Sequence, residues 1–259
     1  MTHIPRAERL IVALDVATPN EAKALVERLG DAARFYKVGL ELFMAGGYFE
    51  LLEWLVQRGN KVFVDLKFFD VPETVRRAVA NLRGRGVSFA TVHGNQAMME
   101  AAAQEKGEVK ILAVTVLTSL DRGDLDDLGF SCDVERLVLS RARRALQAGC
   151  DGVISSGLEA QKLKAEFQDK LLVVTPGIRP VKNEDDQKRT VDAAQAFANG
   201  ADYIVVGRPI RSAADPRAAA QAIQRTIAAI FPRAAPPAGA SGGRGKAAAG
   251  RRKASPRRA

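Results

Sequence analysis

Short β-branched and apolar runs alternate along the chain with stretches whose apolar residues recur every three or four positions. The runs are LIVALD (10–15), FYKVG (35–39), KVFVDLK (61–67), FATVH (89–93), KILAVTVL (110–117), GVISS (152–156), LLVVTPG (171–177) and YIVVG (203–207). Each has the length and composition of a strand. Between them lie helical patterns. TPNEAKALVERLG puts Thr18 and Pro19 in cap positions, sets Leu25, Val26 and Leu29 on one face and stops at Gly30. A longer helix is predicted over 133–148, after the fifth strand. Eight such units predict a closed (β/α)8 barrel, the TIM-barrel class of α/β fold, as a single domain over residues 1–232. An open doubly wound sheet would want a glycine-rich turn after its first strand, and LDVATPN has none.

Composition supports one large domain. The chain has 259 residues, 47% of them hydrophobic, enough to bury a sizeable core. The formal charge of +9 suggests a polyanion partner until its location is considered. Of the 39 Lys and Arg, eight lie from Arg233 onward, where there is no Asp or Glu, leaving 31 basic against 30 acidic residues in the body. The stretch 233–259 is built of Ala, Gly, Pro, Ser and Arg without large apolar residues, a composition that predicts disorder. It reads either as a solubilising appendage or as a weak, salt-sensitive polyanion binder. Cys132 and Cys150 are too few for a disulfide framework, the N-terminal MTHIPRAERL lacks a signal-type apolar segment, and no apolar run approaches the ~20 residues that span a bilayer. The expectation is a soluble cytoplasmic protein.

In a barrel of this kind, function sits where the strands end and the βα loops gather. Those ends carry Asp15, Lys37, Asp65 with Lys67, His93, Thr118 with Ser119, Ser155 with Ser156, Gly177 with Arg179, and Gly207 with Arg208. A barrel mouth meets water, so no single polar residue there signifies much; the joint character does. Strands one to three are neighbours, which brings Asp15, Lys37, Asp65 and Lys67 into one cluster of alternating sign. Asp65 and Lys67 share a face and Leu66 points away. Such a cluster either presents fixed charge to a substrate or merely closes the barrel mouth with ion pairs. Asp70 overshoots the strand and heads for a loop or a neighbouring subunit.

The loops after strands seven and eight read TPGIRP and VVGRPI, each with a glycine and an arginine, the residue types that bind phosphate through backbone N–H groups and a planar guanidinium. The segment PGIRPVKNEDDQKRT (176–190) is long, charged and poor in apolar residues, which suits either a mobile lid or an ordinary solvated loop.

The run DLKFFDVPET (65–74) resembles the D-x-K-x-x-D-[IV]-P signature of the orotidine 5′-phosphate decarboxylase family, and ALD, KVG, TVLTS, TPGIRP, DDQKRT and VVGRPI resemble its other blocks in the same order, over about residues 9–231. The resemblance implies decarboxylation of orotidine 5′-phosphate to uridine 5′-phosphate in a homodimer with shared sites, without metal or cofactor. Lys67, Asp65 and Lys37 would form the charged network, Asp70 would come from the partner, and Lys67 would protonate C6. Asp15, Lys37 and the partner's Thr74 would hold the ribose, Thr118 or Ser119 the pyrimidine edge, and Arg179, Gln187, Gly207 and Arg208 the phosphate. The chain departs from the family at VHGNQ, where paired glycines are usual; His93 is read as a structural hydrogen-bonder. Sugar-phosphate decarboxylases and aldolases share the barrel and the D-x-K-x-x-D run, but their Mg2+ needs a carboxylate where this chain has Lys37.

Overall fold

The computed structural model describes residues 4–179 and 189–232. Its centre is a closed barrel of eight parallel strands in chain order: β1 (Leu10–Ala13), β2 (Phe35–Gly39), β3 (Lys61–Phe68), β4 (Val87–His93), β5 (Lys110–Val114), β6 (Gly152–Ile154), β7 (Leu172–Thr175) and β8 (Tyr203–Val206). β8 closes the ring by pairing with β1, Leu10 opposite Ile204 and Val12 opposite Val206. All eight predicted strands are present. Several end sooner than their apolar runs, because near the mouth the ladder gives way to outward-turning loops: Leu14 N–H still bonds Lys37 O (2.9 Å) and Thr115 N–H still bonds Ile154 O (3.2 Å), but Asp15 and Thr118 already belong to loops.

Helices cover the outside as the capping signals require. Thr18 Oγ1 accepts the Glu21 N–H (3.2 Å) at the start of helix Pro19–Leu29, and Gly30, at φ 54°, ends it in the left-handed region that side chains other than glycine's avoid. The long helix after β5 spans Val134–Gln147, capped by Asp133.

Period-two alternation sorts the strand residues into two cores. Leu10, Val12, Val38, Val64 and Ile204 face the helices. Ile11, Phe35, Phe63, Phe89, Leu112 and Tyr203 face inward. Phe89 is the hub of this inner core, with ring centroids 5.0 Å from Phe35, 5.9 Å from Phe63 and 5.1 Å from Tyr203, mostly edge-to-face. This aromatic plug fills the barrel and leaves the polar residues of the next layer up on a dry floor. Among the described residues no helix is long and apolar enough to cross a membrane.

Candidate active site

Above the plug opens a cavity of about 450 Å³, within the range of roughly 300–1,000 Å³ usual for small-molecule sites. Its lining includes Asp15, Lys37, Asp65, Lys67, Thr118, Gly177, Arg179, Gly207 and Arg208, every one a predicted site residue, with Phe63, Ile154 and Val205 contributing apolar walls.

The charged cluster is ordered by depth. Lys37, at the end of β2, has its ammonium 2.8 Å from Asp15 Oδ1 and 3.3 Å from Asp65 Oδ2; Lys67 Nζ lies 3.1 Å from the same Asp65 oxygen. The side chains of Lys37 and Asp65 are 11% and 12% exposed, those of Lys67 and Asp15 32% and 41%. The deep pair therefore locks charge in place and the shallow pair presents one cation and one anion to the cavity. Burial alone would raise the Asp65 carboxyl, but the ammonium groups of Lys37 and Lys67 and hydrogen bonds from Lys67 and Thr91 outweigh it and hold the group below the ordinary carboxylate range. Burial would likewise lower the Lys37 ammonium, and Asp65 and Asp15 together raise it. Space for that ammonium comes from Gly39, where a Cβ would stand 3.1 Å from Lys37 Nζ.

β3 reaches this arrangement through an irregularity that period-two reasoning does not contain. Val64 pairs with Ala90 and Phe68 with Val92, so β3 takes four steps where β4 takes two. Leu66 and Phe68 pack outward with the helix layer, and Lys67 adopts φ 48°, a left-handed conformation costing a non-glycine residue roughly 1–3 kcal/mol. The bulge re-aims the strand end over the cavity. Its internal support is Thr91 of β4, fully buried, which accepts the Lys67 N–H (2.9 Å) and donates to Asp65 Oδ1 (3.0 Å).

A model of the orotidine 5′-phosphate decarboxylase / HUMPS family matches residues 8–223. The chain belongs to that family. It is 69% identical over 230 residues to the orotidine 5′-phosphate decarboxylase of Methylococcus capsulatus, covering 88% of this chain and 95% of the relative, and 53% identical over 229 residues to that of Stenotrophomonas maltophilia, covering 86% and 94%. Among solved structures it resembles the crystal structure of orotidine 5′-phosphate decarboxylase from Lactobacillus acidophilus, with a TM-score of 0.75, 37% identity, and coverage of 85% of this chain and 99% of that one.

Of the residues that the family's signature marks, Asp70 and Thr74 are not brought to the cavity: both are exposed, and Asp70 Oδ1 accepts the Val71 N–H (2.6 Å) at the entry to helix Pro72–Ala80. Gln187 lies outside the described residues. Of the pair Thr118 and Ser119, Thr118 lines the cavity. His93 stands apart from the cavity lining, its ring 4.9 Å from that of Phe69; burial, then the charges of Arg141 and Lys67, lower its pKa and keep the imidazole neutral. Ser155 and Ser156 are buried and structural: Ser156 Oγ donates to Arg189 O (3.4 Å) and accepts the Leu158 N–H (3.1 Å).

Three features escaped the sequence reading. Thr91 could have been found as the polar inward member of the alternation Phe89–Thr91–His93. Arg211 lines the cavity one helical turn after Arg208, a spacing visible in RPIR. The third is a buried ion pair, Arg189 to Glu159 at 2.6 Å, whose guanidinium also donates to Val116 O and Leu117 O (both 3.0 Å) while Arg189 N–H bonds Thr118 O (3.3 Å). It ties the loops after β5, β6 and β7 together behind the cavity wall; no local signal marks it, since its partners are 30 and about 70 residues away.

Proposed function

We propose that the protein decarboxylates orotidine 5′-phosphate to uridine 5′-phosphate, using its own charged side chains and no metal. The observation that carries this reading is one carboxylate, Asp65, gripped by two ammonium groups in a cavity whose β7–β8 side holds Arg179 and Arg208. Those arginines, with Gly207 beside them in the lining, suit a phosphate: a guanidinium grips its oxygens with a planar fork, and glycine leaves the backbone open to close approach.

With phosphate on that side, the pyrimidine lies toward Lys67 and Asp65. The C6–carboxylate bond breaks, CO2 departs, and the electron pair stays on C6 in the ring plane, where no π-system delocalises it. The Lys67 ammonium interacts more strongly with C6 as this charge develops and then transfers a proton to it, giving uridine 5′-phosphate and a lysine amine that solvent reprotonates. Asp15 and Lys37 hold the ribose hydroxyls and Thr118 the pyrimidine edge. Lys37 already neutralises Asp15 and Asp65, the two carboxylates that a divalent cation would need.

The active form is a homodimer in which Asp70 and Thr74 serve the partner's cavity. This is supported by their position outside their own cavity and by the exposed apolar residues next to Asp70 in the chain: Phe69 and Val71 are 66% and 62% exposed. Residues 233–259 lie outside the described residues and beyond the family match, which ends at residue 223; their eight basic residues suit weak, salt-sensitive polyanion binding, and deleting them should leave turnover unchanged. Two unpaired cysteines fit a cytoplasmic location.

The test follows the loss of orotidine 5′-phosphate absorbance in chelator-treated buffer. Turnover that is indifferent to chelator and abolished by Lys67→Ala is expected; turnover that returns only with Mg2+ would overturn the mechanism.

A further inference from the structure

We propose that Thr91 is a positioning residue for the decarboxylation, its hydroxyl fixing at once the backbone of Lys67 and the carboxylate of Asp65; the proposal rests on the roles given to those two residues above. Thr91 sits on the inner face of β4, between Phe89 in the aromatic plug and His93 at the mouth, and is inaccessible to solvent. Its neighbour across the sheet is the β3 bulge, where Lys67 lies at φ 48°.

The direction of the two hydrogen bonds follows from their chemistry. A backbone N–H can only donate, so the bond from Lys67 N must be accepted by the Thr91 oxygen (2.9 Å). The single hydroxyl proton then points to Asp65 Oδ1 (3.0 Å), which must accept it. That leaves Asp65 Oδ2 to Lys37 and Lys67, at 3.3 and 3.1 Å. One hydroxyl thus distributes the carboxylate: one oxygen anchored to the barrel wall, the other aimed at the ammonium groups. It also ties down the backbone from which the Lys67 side chain departs, so the root and the tip of Lys67 are held by the same three-residue circuit. Without the hydroxyl, the part-buried Lys67 N–H and a buried Asp65 carboxylate oxygen lose their partner together, against a barrel wall where Thr91 itself is fully buried.

Valine preserves the volume and branching of threonine and removes the hydroxyl; serine keeps the hydroxyl and removes the methyl. Steady-state kinetics with orotidine 5′-phosphate on Thr91→Val should show kcat reduced by about 10–100-fold, the loss expected for a hydrogen bond to a charged group, with KM changed no more than about threefold. Thr91→Ser should restore kcat to within about threefold of the parent. A readout independent of substrate accompanies these: exchange of the Lys67 amide hydrogen, followed by NMR, should be slow in the parent and in Thr91→Ser and accelerated in Thr91→Val. A folded Thr91→Val protein with parental kcat and a protected Lys67 amide would overturn the proposal, as would a Thr91→Ser protein no better than Thr91→Val. If Thr91→Val does not fold, Thr91→Cys, whose thiol is a weak donor, replaces it with the same expectations. Failure of the functional reading looks different: the parent itself would not turn over orotidine 5′-phosphate, and the amide exchange would still decide whether Thr91 holds Lys67.

Discussion

The Arg189–Glu159 pair offers a sharp test of how the cavity wall is held, because neither side chain lines the cavity. Their side chains are 10% and 9% exposed, so Glu159→Gln strands a guanidinium in a nearly dry site. Removing one member of a buried pair costs about 3–5 kcal/mol; here the carbonyls of Val116 and Leu117 still solvate the cation, which places the expectation near the low end, about 3 kcal/mol. For a domain of this size, with about 2–4 °C per kcal/mol, the melting temperature should fall by roughly 6–12 °C. Because Arg189 N–H also bonds Thr118 O, loosening the pair should raise KM more than it lowers kcat. The double variant Glu159→Gln/Arg189→Met, which strands no charge, should melt above the single variant. Differential scanning fluorimetry with parallel kinetics makes both measurements. A single variant melting within about 2 °C of the parent would mean that water reaches the pair and that the loops are held by something else.

Four further outcomes are expected. If sites are shared, mixing subunits carrying Lys67→Ala with subunits carrying Asp70→Ala, each inactive alone, should restore up to about a quarter of parental activity, since half of the dimers are mixed and each mixed dimer has one intact site; no recovery would place Asp70 in its own subunit's site. Phe89→Ala, which removes the hub of the inner core, should destabilise by about 3–5 kcal/mol, read from urea unfolding, and a cost below about 1 kcal/mol would show that the plug repacks freely. The lowered carboxyl of Asp65 contributes stability present above its unfolded value of about 4 and lost as pH falls through its folded value, so the melting-temperature gap between the parent and Asp65→Asn should narrow in acid. The raised ammonium of Lys37 contributes stability present below about 10.4 and lost as pH rises through its folded value, so the parent should lose stability again at the alkaline end. A gap that stays constant in acid would refute the ionised assignment of Asp65.

Sequence alone determined the barrel and most of its mouth. Strand and helix periodicities are local, and caps such as Thr18 and Gly30 act within one turn, so eight units could be counted before any contact was known. Once the units were counted, ring closure put Asp15, Lys37, Asp65 and Lys67 side by side, and the loops after β7 and β8 brought Arg179 and Arg208 to the same cavity. What tertiary structure decided is everything set by partners distant in sequence. The β3 bulge exists only as a mismatch with β4, and Thr91 matters only because the residues opposite it are Asp65 and Lys67, 24 to 26 residues away. Glu159 and Arg189 look like surface charges in sequence and become a buried staple only when three loops converge. Depth, too, is a property of the assembled barrel: the same two lysines and two aspartates acquire different exposures because the aromatic plug closes the floor beneath two of them and leaves the others at the mouth.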